Sequence, residues 1–172
     1  KVLQPYIVLG EKMGSLTAQL LGAPIAEVRA TYTGEITAHD TSVVTRAILK
    51  GILEPVVGES VNYVNASVIA SERGVKLIEA KASQVEEFAN LVALSVRSSP
   101  SLSLGVAPDE QSRSRGGGQQ LDVLGTLSPR REPRIVKIDR YFVEASPMGY
   151  LLVIKNQDKP GLIGHLGTLL GE

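Results

Sequence analysis

The apolar residues of this chain keep two different periods in turn, which restricts it to folds where helices and strands pack together. Leu9, Met13, Leu16 and Leu20 recur at i, i+4, i+7 and i+11, the stripe of a helix over roughly residues 5–21 that ends near Gly22 and Pro24. Val28, Ala30 and Tyr32 then alternate with Arg29, Thr31 and Thr33, the period of a half-buried strand. Asp40 is placed to cap a second helix carrying Val44, Ala47, Ile48 and Ile52 on one face, with Pro55 just beyond its end. Asn65 is placed to cap a third, short helix that stops at Gly74. Residues 75–80, 91–96 and 121–127 read as strands. Residues 135–138 and 141–143 read as a hairpin around Asp139-Arg140. A two-residue loop of the common primed type wants positive φ at both central positions, so Gly suits position 140 better than Arg. The fold class is α+β.

Composition narrows the function classes. Apolar residues make up 43% of the 172 residues and aromatics only 4%, so the core must be mainly Leu, Ile, Val and Ala. Lys plus Arg and Asp plus Glu both total 18, which gives no global pull toward nucleic acid or an acidic membrane. There is no cysteine, which excludes disulfides, thiolate metal sites and a Cys nucleophile. No apolar run approaches the roughly 20 residues that span a bilayer, and no signal peptide opens the chain. The expected location is cytoplasmic, or a plastid if a transit peptide precedes these residues. Between residues 98 and 120 the chain turns rich in Ser, Pro, Gly and Arg, and this segment reads as a flexible insertion.

The last residues carry a recognisable pattern. Tyr150-Leu-Leu-Val-Ile154 reads as a strand, followed by an Asp158-Lys-Pro-Gly loop and a helix with Leu162, Ile163, Leu166, Leu169 and Leu170 on one stripe. This strand–loop–helix resembles the opening of an ACT domain, a small-molecule sensor. Upstream, Pro5-Tyr-Ile-Val-Leu-Gly-Glu-Lys-Met-Gly-Ser15, Lys50-Gly-Ile-Leu-Glu-Pro55, Val61-Asn-Tyr-Val-Asn-Ala66 and Glu72-Arg-Gly74 resemble the intervening (allosteric substrate-binding) domain of long-form D-3-phosphoglycerate dehydrogenases. The resemblance covers nearly the whole chain apart from the insertion. It implies a mixed-sheet intervening domain with helices packed on it, over residues 1–147. An incomplete ferredoxin-like ACT domain, its first strand and first helix, would follow over residues 148–172. The helix stripe of that half-unit would then show much of its apolar surface to water.

The resemblance also implies a function. The segment would be a non-catalytic regulatory and assembly part of an enzyme that oxidises 3-phosphoglycerate with NAD to 3-phosphohydroxypyruvate, in L-serine biosynthesis. Its partners would be the catalytic and nucleotide-binding domains of the parent chain, further copies in a tetramer, and L-serine as effector. NAD would belong to the parent and no cofactor to this segment. Gly161-Leu-Ile-Gly164-His-Leu-Gly167 has the wrong spacing for a dinucleotide-binding turn, and the acidic residue such a turn needs about 20 positions later would fall beyond Glu172. The family's catalytic Arg, Glu and His fall outside these residues, so no catalytic or cofactor-binding residue is assigned. Two other readings share the pattern: the β chain of an iron–sulfur L-serine dehydratase, and a free-standing amino-acid sensor. The segment at residues 5–14 favours the dehydrogenase.

Candidate binding residues fall in two groups. Asp158, before Pro160 at a helix start, complements the helix dipole. By resemblance it also holds the ammonium of serine, with Asn156 at the neighbouring contact and His165 on the ligand side of the sensor helix. Arg113, Arg115, Arg130, Arg131, Arg134, Lys137 and Arg140 crowd one region. Guanidinium groups suit forked hydrogen bonds to phosphate. Some family members bind an anionic effector at the intervening domain, and the resemblance puts Arg134 at a position often basic there, with Lys137 and Arg140 beside it. The ordinary reading of the cluster is a solvated face, and no aromatic residues interleave with it to stack on nucleic-acid bases. His39 and His165, the two histidines, lie far apart without metal-ligand spacing, so no metal site is expected, and His39 reads as an ordinary surface residue.

Overall fold

The computed structural model describes residues 2–82, 90–100, 118–154, 161, 164, 167–169 and 171. Among the described residues, helices α1 (Gln4–Leu21), α2 (Ser42–Val57) and α3 (Ala66–Glu72) lie with six strands: β1 (Ile25–Thr33), β2 (Lys76–Ala82), β3 (Leu91–Ser98), β4 (Gln120–Leu127), β5 (Pro133–Ile138) and β6 (Tyr141–Ala145). The strands form one sheet in the order β2-β1-β3-β4-β5-β6. β1 and β2 are parallel and the other four pairs antiparallel, so the sheet is mixed. The parallel pair is joined through α2 and α3, the crossover a parallel connection requires.

The apolar stripes explain the layers. On α1, Tyr6, Leu9 and Met13 are buried, and Leu16 and Leu20 flank them half-buried. On α2, Val44, Ala47, Ile48 and Ile52 are buried as the spacing predicts. Their partners on the sheet are Val28, Ala30, Tyr32, Val92, Leu94, Val96, Leu121 and Val123, all facing the helices. The opposite face carries cross-strand rows of polar and small residues, such as Arg29–Ser95–Asp122 and Thr31–Ala93–Leu124–Lys137. The helices touch backbone to backbone. A Cβ on Gly14 would lie 2.2 Å from the Ile48 carbonyl oxygen, and one on Gly51 would lie 2.0 Å from that of Glu11.

Several boundaries differ from the sequence reading. Pro55 lies inside α2, which runs one turn's remainder further to Val57; the exposed ring sits where only the Gly51 carbonyl loses a donor. The third helix is entered through two asparagines. Asn62 Oδ1 accepts the N–H groups of Val64 (2.8 Å) and Asn65 (3.0 Å), while Asn65 Oδ1 accepts that of Asn62 (2.7 Å). The N-cap of α2 is Thr41, without a side-chain cap, and Asp40 stands one residue earlier, its Oδ1 accepting the Ser42 N–H at 3.0 Å. The insertion joins two adjacent antiparallel strands, closed at its base by Ser98 and Gln119. Residues 101–117 lie outside the described residues. The strand expected over residues 150–154 is not formed. These residues are irregular, with Tyr150, Leu152 and Ile154 exposed, because a strand exists only through a ladder partner and none adjoins them among the described residues.

The Asp139-Arg140 loop is a two-residue turn, as Ile138 pairs with Tyr141. Only Asp139 has positive φ, at 51°, so the expectation that Gly would suit position 140 is corrected. The left-handed backbone is at Asp139, which also accepts the Asp122 N–H through Oδ1 (3.1 Å) and donates its own N–H to the Asp122 carbonyl (2.7 Å). Asn keeps that side-chain acceptor and tolerates left-handed backbone better than most residues. Asp139→Asn is therefore expected to raise stability slightly, by about 0.5 kcal/mol, whereas Arg140→Gly should leave it unchanged or lower. Urea midpoints of the two variants check the pair, and a gain confined to Arg140→Gly would contradict the turn geometry.

Candidate functional site

Two clefts adjoin at the start of α1. The larger, about 570 Å³, is lined by Gln4, Pro5 and Val8 of α1, by the β4–β5 turn at Arg131–Arg134, and by Ser146 and Met148. The smaller, about 320 Å³, lies between Val2, Tyr6, the 3-10 turn at Glu35–Ala38, Asn90 and the segment Leu127–Arg131. Arg131 stands between them and belongs to both.

The β4–β5 turn is held so as to aim Arg131. Ser128 N–H donates to the Glu132 carbonyl at 2.9 Å, and Arg131 N–H donates to the Ser128 carbonyl at 2.8 Å. Arg131 itself is left-handed, with φ 61°. Such a backbone costs a non-glycine residue on the order of 1 kcal/mol and persists where surroundings fix it. Here its Nη2 donates to the Val2 carbonyl at 2.7 Å, lashing the turn to the chain just before α1.

The sequence-based candidates divide. Arg134, Lys137 and Arg140 are described. Arg134 lines the larger cleft and forms an ion pair with Glu132 at 2.9 Å. Arg134 and Lys137 would face opposite sides of a regular strand. A bulge at Val136 brings them to the same side, since Leu124 pairs with Lys137 while Gly125 pairs with Ile135. Lys137 lies over the Phe142 ring at 4.8 Å. Arg140 is in the turn beyond, against Tyr141, with its Nη2 donating to the phenol oxygen at 2.8 Å. Asn156, Asp158 and His165 lie outside the described residues. Among the described residues no group of acidic, histidine or cysteine side chains converges as a metal-binding set, and no helix is long and apolar enough to cross a membrane.

Sequence reasoning missed Tyr6, Glu35 and Arg131 as a group. Tyr6 is a member of the buried stripe of α1, 5% exposed, and only its polar tip hinted at another role. Burial pushes its phenol above the ordinary range; Arg131's charge pulls it down and Glu35's pushes it further up. Tyr6, Arg131 and Glu35 thus line one cleft. Glu35 is fixed by the Gly34 turn (φ 88°) and by Asn90, whose Oδ1 accepts the Glu35 N–H at 2.6 Å.

A second charged cluster ties the helices instead of lining a cleft. Lys50 Nζ lies 2.8 Å from Glu11 and 3.1 Å from Glu54, and the Tyr63 hydroxyl donates to Glu11. Burial alone would raise the Glu11 carboxyl. Hydrogen bonds from Lys50 and Tyr63, with the charge of Lys50, outweigh it and hold the carboxyl below its ordinary value. A depressed carboxyl stabilises the fold above its unfolded pKa, roughly 4.3, and that contribution is lost as pH falls through the folded value. Lys50→Met is expected to lower stability at pH 7 by about 1 kcal/mol, discounted for partial exposure, and to flatten the decline below about pH 4. Denaturation midpoints from pH 7 to 3 check this; an unchanged acid limb would exclude Glu11 as its source.

The fold defines a small α+β module with a mixed sheet and two clefts at the start of α1. The family model of the D-3-phosphoglycerate dehydrogenase intervening domain matches residues 2–105, and the chain belongs to that family. It is 35% identical over 170 residues to a D-3-phosphoglycerate dehydrogenase of Archaeoglobus fulgidus, covering 99% of this chain and 29% of the relative. The enzyme of the same name from Bacillus subtilis is 32% identical over 170 residues, with the same coverage. D-3-phosphoglycerate dehydrogenase 2, chloroplastic, of Arabidopsis thaliana is 30% identical over 177 residues, 99% of this chain and 27% of the relative. The chain therefore spans under a third of the length of the relatives it matches.

Proposed function

We infer that the chain is the regulatory and assembly segment of a D-3-phosphoglycerate dehydrogenase, itself non-catalytic. Residues 1–147 form the intervening domain and residues 148–172 open an ACT domain. The observation that carries this reading is the family match over residues 2–105 together with relatives that align across 99% of the chain. NAD and 3-phosphoglycerate would be handled by the parent's other domains, and further copies would complete the oligomer. The cytoplasm is the proposed location, with the plastid as the alternative that the chloroplastic relative supports.

Within this reading an anionic effector would bind at Arg134 and Lys137, on the face to which the Val136 bulge turns both. Serine would be held by Asp158, with Asn156 and His165. The test uses the full parent enzyme. Arg134→Ala with Lys137→Ala should keep kcat at saturating substrate and abolish any response to inorganic phosphate. Asp158→Ala should abolish the response to L-serine alone. Loss of kcat in either variant would place these residues in the catalytic machinery and overturn a regulatory role. The isolated 172-residue chain should bind no NADH by calorimetry, and micromolar binding would contradict the reading.

A further inference from the structure

We propose that the smaller cleft, between Tyr6, Glu35 and Arg131, is a binding site for a small zwitterion such as a free α-amino acid. This goes beyond the anion and serine sites inferred above, and it shares neither Asp158 nor Lys137 with them.

Tyr6 is 5% exposed and lines the cleft. No buried side-chain oxygen is left unpaired among the described residues, so its hydroxyl, which bonds to no described residue, is open to the cleft. Here the opening it faces is where a partner would sit. Arg131 and Glu35 both line that opening. Both charges act on the Tyr6 phenol, so both lie near it. They nevertheless form no ion pair with each other among the described residues.

Arg131 is held through its side chain and Glu35 through its backbone. The Arg131 guanidinium is tied to the Val2 carbonyl through Nη2, which leaves its other N–H groups for a ligand. The Glu35 backbone is tied to Asn90. Opposite charges and a hydroxyl lining one cleft match a molecule bearing a carboxylate at one end and an ammonium at the other. A simple anion would meet Glu35, and a simple cation would meet Arg131. Of the remaining wall, Val2, Ile36, Leu127 and Pro129 are apolar and accept a short side chain, while His39, Asn90 and Ser128 are polar. The volume, about 320 Å³, is at the small end of ligand pockets, roughly 300–1,000 Å³. The left-handed backbone of Arg131 fits the same reading, since conformational strain is retained where it positions a functional group.

The test is a titration of the 172-residue chain carrying Asp158→Asn, which removes the proposed serine contact. Glycine and L-alanine are the zwitterionic probes; acetate and methylammonium are the single-charge controls. Binding is read by NMR shifts of ring-labelled tyrosine. The expected result is saturable binding of the zwitterions, with a dissociation constant of about 1 mM or tighter, and much weaker binding of both controls. Glu35→Gln, Arg131→Gln and Tyr6→Phe should each weaken it about tenfold or more while circular dichroism and melting stay near wild type. Arg131→Gly supplies a second readout: the fold should be kept or stabilised while binding is lost. No shift with any zwitterion, equal binding of acetate, or binding unaltered by Glu35→Gln would overturn the proposal. Loss of serine response in Asp158→Ala parent enzyme is a separate result, so either proposal can fail alone.

Discussion

Gly51→Ala is expected to lower the stability of the chain by about 3 kcal/mol or more, the largest effect of any single methyl group added to it. The new Cβ would lie 2.0 Å from the Glu11 carbonyl oxygen and 2.9 Å from the Ser15 nitrogen. Both are backbone atoms of α1, so relief requires the two helices to separate along their contact. Alanine's advantage over glycine in a helix, roughly 1 kcal/mol, cannot offset that. Gly125→Ala is the control. Its Cβ would meet Met13 Sδ at 2.6 Å and Leu9 Cδ1 at 2.9 Å, the ends of side chains that can turn aside. It should cost about 1 kcal/mol. Against a typical total of about 5–15 kcal/mol, the first change threatens folding and the second does not. Urea titrations of both variants give the comparison. Equal costs would mean that α1 and α2 part easily.

Tyr32→Ala is expected to cost about 4 kcal/mol and Tyr32→Phe about 1 kcal/mol. Tyr32 is fully buried between sheet and helices. Its hydroxyl lies 2.7 Å from Thr45 Oγ1, which in turn lies 2.5 Å from Glu79 Oε2. The carboxylate can only accept, so Thr45 donates to Glu79 and Tyr32 donates to Thr45. This chain of protons joins β1, α2 and β2. Burial is the main reason the Tyr32 phenol is pushed far above its ordinary value, with the charge of Glu79 adding to the rise and the Thr45 bond opposing it. A raised pKa contributes stability that is fully present below the unfolded value of about 10 and is lost as pH rises through the folded one. Wild type should therefore lose stability above about pH 10, and Tyr32→Phe should lose less. Melting curves from pH 8 to 11 check the direction. A Phe variant as costly as the Ala one would assign the effect to the hydrogen bonds and not to packing.

The helices were legible because their stripes are long. Leu9, Met13, Val44, Ile48 and Ile52 recur often enough to fix both α1 and α2 from spacing alone. β3 and β4 were legible for a similar reason, as each buries every second residue on one side. What stayed hidden was set by tertiary contact. The Tyr150–Ile154 run has strand-like composition, yet composition cannot supply a neighbour to pair with. Arg134 and Lys137 could be named from charge, but their shared face depends on one extra residue, Val136. Tyr6, Glu35 and Arg131 are separated by 28 and 95 residues in turn, and only the packing of α1 against the β4–β5 turn brings them to one cleft. Asp139 and Arg131 show the same limit on a smaller scale: nothing in either residue type announces a left-handed backbone.

The Val136 bulge also governs how this sheet can vary. On β4 the inward residues are Leu121, Val123 and Gly125, two apart throughout. On β5 they are Ile135 and Ile138, three apart, and both are buried. Tolerance to polar substitution should thus beat in twos along β4 and slip phase once on β5. A deletion at Val136 would restore the plain rhythm with Ile135 and Ile138 two apart and both inside, whereas Val136 drawn into the ladder without a bulge would turn one of them outward.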